Sequence, residues 1–161
     1  LGFPLGATST RSKIAEAQAI VVDGATEVDM VINIGWVKEG NHKRAAEEIQ
    51  EIRSVVGEEV VLKVILETAL LSQVEKRLAA TLVVDSGGDF VKTSTGLVER
   101  GGATVEDVRL IKEVVGESGR IKAAGGIRNT QTVIGMIEAG ADRIGTSSGV
   151  GILDSLFCET E

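Results

Sequence analysis

The chain has 161 residues, 43% of them hydrophobic and only 2% aromatic, with a formal net charge of −7. This is enough apolar material for one folded domain, and an acidic chain poor in aromatics lacks the basic face that nucleic acid requires. No apolar run approaches the ~20 residues of a membrane span, no signal peptide is visible, and a lone cysteine, Cys158, excludes an internal disulfide, all of which suits the cytoplasm.

The opening Leu1-Gly2-Phe3-Pro4-Leu5-Gly6 lacks an initiator Met and reads as the tail of a strand, as if the natural protein began earlier. Apolar spacing predicts a helix over 10–23, with Ile14, Ala17, Val21 and Val22 on one face and Gly24 past its end. The run Val28-Asp29-Met30-Val31-Ile32 reads as a strand. A second helix follows Asn41, with Ala45, Ile49, Ile52 and Val56 inward and Glu47, Glu48 and Glu51 on a solvated face; Gly57 stops it. The β-branched run over 60–66 is the next strand, and Ser72-Gln73-Val74-Glu75 is a capping-box pattern opening a third helix that ends at Gly87-Gly88. The strand Phe90-Val91-Lys92 and the turn Gly101-Gly102 precede a fourth helix from Thr104, with Val108, Ile111 and Val115 inward. The strand Ile121-Lys122-Ala123 leads to a fifth helix that starts near Asn129 or Thr130, carries Val133 and Ile137 and ends at Gly140. A last strand surrounds Ile144, and Ile152, Leu153, Leu156 and Phe157 mark a short amphipathic tail.

Strands alternating with helices predict an α/β fold with a parallel sheet, either open and doubly wound or closed into a barrel. Four of the apolar strands carry a charged residue: Asp29, Lys63, Lys92 and Lys122. Such groups are almost never buried unless paired. In a barrel they converge on one interior and satisfy one another, whereas an open sheet aims them at separate helix layers. The expectation is therefore a (β/α)8 TIM barrel, incomplete here, with about six βα units corresponding to strands 3–8 and one domain over 1–161. Its exposed edges favour a homo-oligomer. The active site belongs at the C-terminal ends of the strands.

A lysine attacks a carbonyl only as the neutral amine, and both desolvation and a nearby cation favour that form. Lys92 and Lys122, on neighbouring strands, supply a nucleophile and its cationic neighbour; Asp29 is the candidate proton carrier, acting through a water. Gly125-Gly126 and Gly145-Thr146-Ser147-Ser148-Gly149 follow the last two strands, where barrels place phosphate cups. Glu67-Thr68, at a strand end, is a second-tier candidate, and Trp36 is either a contact near the mouth or a packing residue. His42, the only histidine, sits in a polar stretch, and no His/Cys cluster for zinc is present.

The segments Glu27-Val28-Asp29-Met30-Val31-Ile32-Asn33, Phe90-Val91-Lys92-Thr93-Ser94-Thr95-Gly96 and Lys122-Ala123-Ala124-Gly125-Gly126-Ile127-Arg128 together resemble the deoxyribose-phosphate aldolase family. The opening Gly2-Phe3-Pro4-Leu5-Gly6 and the segment over 101–108 fit the same resemblance, which runs from Leu1 to about Leu153. It implies a class I aldolase that cleaves 2-deoxy-D-ribose 5-phosphate reversibly, without metal or organic cofactor. Lys92 would hold the imine, Lys122 would tune it, and Asp29 would join the proton relay. Gly96, Gly125, Gly126, Gly145, Ser147 and Ser148 would surround the phosphate. The family carries about two further N-terminal strands, and the turn Leu97-Val98-Glu99-Arg100 departs from its small polar residues at that place. Another class I aldolase with a different aldehyde donor, or a non-catalytic phosphate-binding barrel, would share much of this pattern.

Overall fold

A computed structural model describes residues 1–99 and 101–158, with side chains through Leu156. Arg100 in the turn after Gly96, and the side chains of Phe157 and Cys158, lie outside the described residues. The elements, in chain order, are α1 (Thr10–Val22), β1 (Glu27–Val31), α2 (Ile34–Lys38), α3 (His42–Val56), β2 (Val61–Ile65), a 3-10 turn (Thr68–Leu70), α4 (Gln73–Asp85), β3 (Phe90–Lys92), α5 (Val105–Val115), β4 (Arg120–Ala124), α6 (Thr130–Glu138), β5 (Arg143–Gly145) and α7 (Gly149–Cys158). The five strands pair in sequence order, and every pairing is parallel.

Four of the predicted starts carry a side-chain cap, whereas Asn41 makes no such bond at the start of α3. Ser9, Thr104 and Asn129 accept backbone N–H groups of α1, α5 and α6, and Ser72 with Glu75 forms the reciprocal capping box of α4. The short α2, capped by Asn33, and the 3-10 turn were not expected from the sequence, because neither is long enough to show a helical period.

The sheet is strongly curved. In a flat sheet β1 and β5 would lie about 19 Å apart, four strand spacings. Instead Arg143 of β5 pairs with Glu27 of β1 at 2.5 Å, and Lys122 of β4 reaches Asp29 of β1 at 3.1 Å. The strands thus form an arc of a barrel with one polar interior. Their alternate residues, including Val28, Met30, Leu62, Val64, Val91, Ile121 and Ala123, are buried on the opposite side. There they join Ala17, Ile49, Ile52, Ala79, Ala80, Val83, Val108 and Ile111 of the helices in one apolar layer. Full burial of each Val, Leu or Ile contributes roughly 1.5–3 kcal/mol, so this layer holds the helices on the arc.

Several expectations need correction. The opening segment is not a strand. Only Leu1 pairs with β1, its amine donating to the Asp29 carbonyl and its own carbonyl accepting from Val31; residues 3–5 form a turn with a cis Phe3–Pro4 bond. Among the described residues the strand count is therefore five rather than about six. In α1 the inward stripe is Lys13 and Ala17, with Ile14, Ile20 and Val21 partly buried against the core, while Val22 is exposed, because it lies about 100° round the helix from Val21. Ile137 of α6 is likewise exposed. Glu48 does not belong to a solvated face with Glu47 and Glu51. It is buried at 1% exposure and pairs at 2.6 Å with Lys13, which is fully buried. Thr10 donates to the second Glu48 oxygen, and Lys13 also donates to the Val31 carbonyl. Burial pushes the Lys13 amine below its usual range, while the Glu48 carboxylate acts against that shift.

Candidate active site

Val91 is buried among the helices, so strand alternation turns Phe90 and Lys92 into the arc. The β3–β4 register sets Lys92 beside Lys122, and the β1–β2 register sets Asp29 beside Lys63. Curvature brings the two pairs together. One oxygen of Asp29 accepts from Lys92 at 2.6 Å and from Lys122 at 3.1 Å; the other accepts from Lys63 at 2.8 Å. The four charged residues singled out in the strands therefore share one centre. Beneath it Lys63 also pairs with Glu27 at 2.8 Å, and Glu27 with Arg143. The Arg120 and Arg143 guanidinium groups stack on the buried Phe90 ring, 4.2 and 4.9 Å from its centroid.

Lys63, Lys92, Lys122 and Arg143 thus face two carboxylates, an excess of positive charge. Burial works against ionisation of Asp29, but the hydrogen bonds from Lys63, Lys92 and Lys122 outweigh it and hold its carboxyl well below the usual range. Hydrogen bonds from Lys63 and Arg143 draw Glu27 down to about 2. The Lys122 amine is shifted down, first by burial and further by the charges of Lys92 and Lys63, against the pull of Asp29. A proton is thus more easily lost from Lys122 than from a solvated lysine.

Lys92 and Lys122 open onto a cavity of about 400 Å³. Its walls include Gly96, Gly125, Gly126, Gly145 and Ser147, so five of the six expected phosphate residues come together. Ser148 is not on the wall; its N–H is taken by the Thr146 hydroxyl and it leads into α7. Thr95, Thr146 and Arg128 also line the cavity and were not singled out by the sequence, although Arg128 ends the Lys-Ala-Ala-Gly-Gly-Ile-Arg motif. Its exposed guanidinium beside the glycines is suited to an anion. Glycine is required at Gly125: φ is +89°, and a Cβ there would lie 3.1 Å from the Gly102 Cα. Gly101 and Gly102, read as turn residues, line a neighbouring cavity of about 410 Å³ that shares Gly125 and Gly126 and contains the Lys76–Asp107 ion pair.

Glu67 has a larger place than its second-tier ranking. It is fully buried and has φ +53°, the left-handed region that costs a side-chain-bearing residue roughly 1–2 kcal/mol. Its carboxylate accepts both the N–H and the hydroxyl of Thr95. No periodicity announces such a residue; the one sequence signal is a Glu at the end of a buried strand. Trp36 lies in α2 with the Arg44 guanidinium 4.2 Å from its ring and is absent from the cavity wall, which makes it a packing residue. His42 is half-buried at the start of α3 and is absent from the cavity wall. Among the described residues no group of three His, Cys, Asp or Glu side chains is placed to hold a metal, and no helix is long and apolar enough to cross a membrane.

The chain is 55% identical to the deoxyribose-phosphate aldolase of Carboxydothermus hydrogenoformans, over 97% of this chain and 69% of that protein. It is 53% identical to the one from Thermococcus gammatolerans, over 96% of this chain and 68% of the relative. Among solved structures, the aldolase QR15 superposes with a TM-score of 0.92 at 44% identity, covering 99% of this chain and 72% of that one. The tetrameric deoxyribose phosphate aldolase of Aeropyrum pernix superposes with a TM-score of 0.82 at 34% identity, covering 97% and 65%. The DeoC/LacD aldolase family model matches residues 3–155, a span that contains both lysines, their shared carboxylate and the glycine loops, and this chain belongs to that family.

Proposed function

We propose that this chain cleaves 2-deoxy-D-ribose 5-phosphate reversibly to D-glyceraldehyde 3-phosphate and acetaldehyde, with Lys92 as the Schiff-base nucleophile. The observation that carries the proposal is the meeting of two lysine amines on one carboxylate, both open to a cavity whose far wall is built of glycine loops. The neutral Lys92 amine adds to C1 of the open-chain sugar, and loss of water leaves an iminium. A base takes the proton of the C3 hydroxyl, Asp29 acting through a water; the C2–C3 bond breaks and its electrons move into the iminium. Glyceraldehyde 3-phosphate leaves. The enamine is protonated at C2, and water releases acetaldehyde and regenerates Lys92. The Lys122 ammonium favours proton loss nearby and is placed to return protons to the intermediates. Gly96, Gly125, Gly126, Gly145, Ser147 and Arg128 form the phosphate end, with Ser148 supporting that loop from outside the cavity.

Lys122 as the nucleophile is the second reading, favoured by the downward shift of its own amine. Borohydride trapping with acetaldehyde, followed by peptide mass spectrometry, separates the two. An N-ethyl group on the Lys92 peptide, lost in Lys92→Ala, is the expected result; an adduct on Lys122 alone overturns the assignment. The names of the relatives support a phosphorylated sugar substrate, which fits a cytoplasmic enzyme. Self-association belongs to the same proposal. It is supported by the outer edge of β5 and the β1 edge that Leu1 alone covers, neither of which meets a further strand among the described residues, and by the exposed Ile134, Ile137, Val150 and Leu153; light scattering of the purified chain tests it.

A further inference from the structure

The geometry points to Glu67 as a positioning residue that sets the phosphate end of the cavity through Thr95, and with it the preference for a phosphorylated over a non-phosphorylated substrate. The inference rests on the aldolase reading of the site but assigns a residue outside the lysine–carboxylate cluster. Among the described residues Glu67 is the one non-glycine with positive φ, +53°. A glycine would adopt that backbone freely, so the retained side chain has to perform something a glycine cannot. What it does is local and directional. One carboxylate oxygen accepts the Thr95 N–H at 2.9 Å and the Thr95 hydroxyl at 2.5 Å, and the Thr95 oxygen in turn accepts the Leu97 N–H at 3.1 Å.

These bonds clamp both sides of Gly96. Thr95 and Gly96 line the cavity beside Lys92, and Gly96 lies against Gly125 closely enough that a Cβ on Gly125 would sit 3.6 Å from its Cα. Glu67 thereby holds the loop that follows the nucleophile in register with the glycine pair that follows Lys122. It hydrogen-bonds neither amine; its bonds go to the loop. Loosening the loop should therefore weaken recognition at the far end of the substrate more than chemistry at C1. The reason a carboxylate serves here is that a charged acceptor binds N–H and O–H donors about twice as strongly as a neutral one.

The test compares kcat/KM for 2-deoxyribose 5-phosphate with kcat/KM for 2-deoxyribose, alongside borohydride trapping. Glu67→Ala and Thr95→Val should each lower the ratio of the two at least about tenfold, the scale of one charge-assisted hydrogen bond. Glu67→Gln, which keeps an acceptor, should recover part of the loss, and Glu67→Ala/Thr95→Val should lose no more than either single variant. If Glu67→Ala fails to fold, Thr95→Val decides alone. An unchanged ratio, or equal losses on both substrates, overturns the positioning role. Absence of a Lys92 adduct in the parent chain overturns the aldolase reading and this inference with it.

Discussion

Lys13→Met should be among the most damaging single substitutions outside the cavity. It leaves the Glu48 carboxylate, 1% exposed, with the Thr10 hydroxyl as its remaining partner, and it removes the donor that Lys13 lends to the Val31 carbonyl of β1. Breaking a buried ion pair from one side costs about 3–5 kcal/mol. For a chain of this size that corresponds to a fall in Tm of roughly 6–20 °C, a large share of a total stability of about 5–15 kcal/mol. Lys13→Met/Glu48→Leu removes both charges, and replacing a buried pair by apolar residues is often neutral or stabilising. The double variant should thus recover most of the loss, short of one hydrogen bond to Thr10, about 1 kcal/mol. Urea denaturation of the parent, both single variants and the double variant measures the cycle. A Lys13→Met variant within about 1 kcal/mol of the parent, or a double variant no better than its worse single, would refute the argument that burial makes this pair costly to break.

Asp29→Asn removes the carboxylate charge that Lys92 and Lys122 share, and should lower kcat by about 10²–10⁴-fold; steady-state cleavage of 2-deoxyribose 5-phosphate checks this. Lys122→Leu should slow adduct formation and shift its pH profile, because the neighbouring cation is gone; an unchanged profile removes Lys122 from the proton chemistry. Gly125→Ala, at φ +89° and against Gly102, should cost about 1–3 kcal/mol of stability and raise KM for the phosphorylated substrate, read from melting curves and kinetics. Glu27 releases its proton at about 2 in the folded chain against its ordinary 4.5, so the unfolded chain takes up more protons between these values. Stability should therefore be fully present above about pH 5 and decline as pH falls from about 4.5 towards 2. Glu27→Gln should flatten that part of a urea-midpoint series.

The barrel interior was legible because charge interrupts apolar strands four times, at Asp29, Lys63, Lys92 and Lys122, and buried charges need partners. The structure bears that out with one shared carboxylate. The glycines that line the cavity were legible from their position after strands. Glu48 and Lys13 were not. Each looks like an ordinary solvated helix residue, and only the packing of α1 on α3 and β1 brings them face to face. Nor was the place of Glu67, which depends on a backbone angle and on contacts with Thr95, twenty-eight residues away.

Periodicity, caps and the placement of charge within short strands determine, from the sequence alone, the alternation of elements, the inward side of each strand and the charged residues that meet inside the arc. These are local properties, set within a turn of helix or a few strand residues. The curvature that sets Arg143 on Glu27 and Lys122 on Asp29, the burial of the Lys13–Glu48 pair and the left-handed turn at Glu67 were decided by the tertiary structure. Each depends on contacts between residues far apart in the chain, whose separation in space no local pattern encodes.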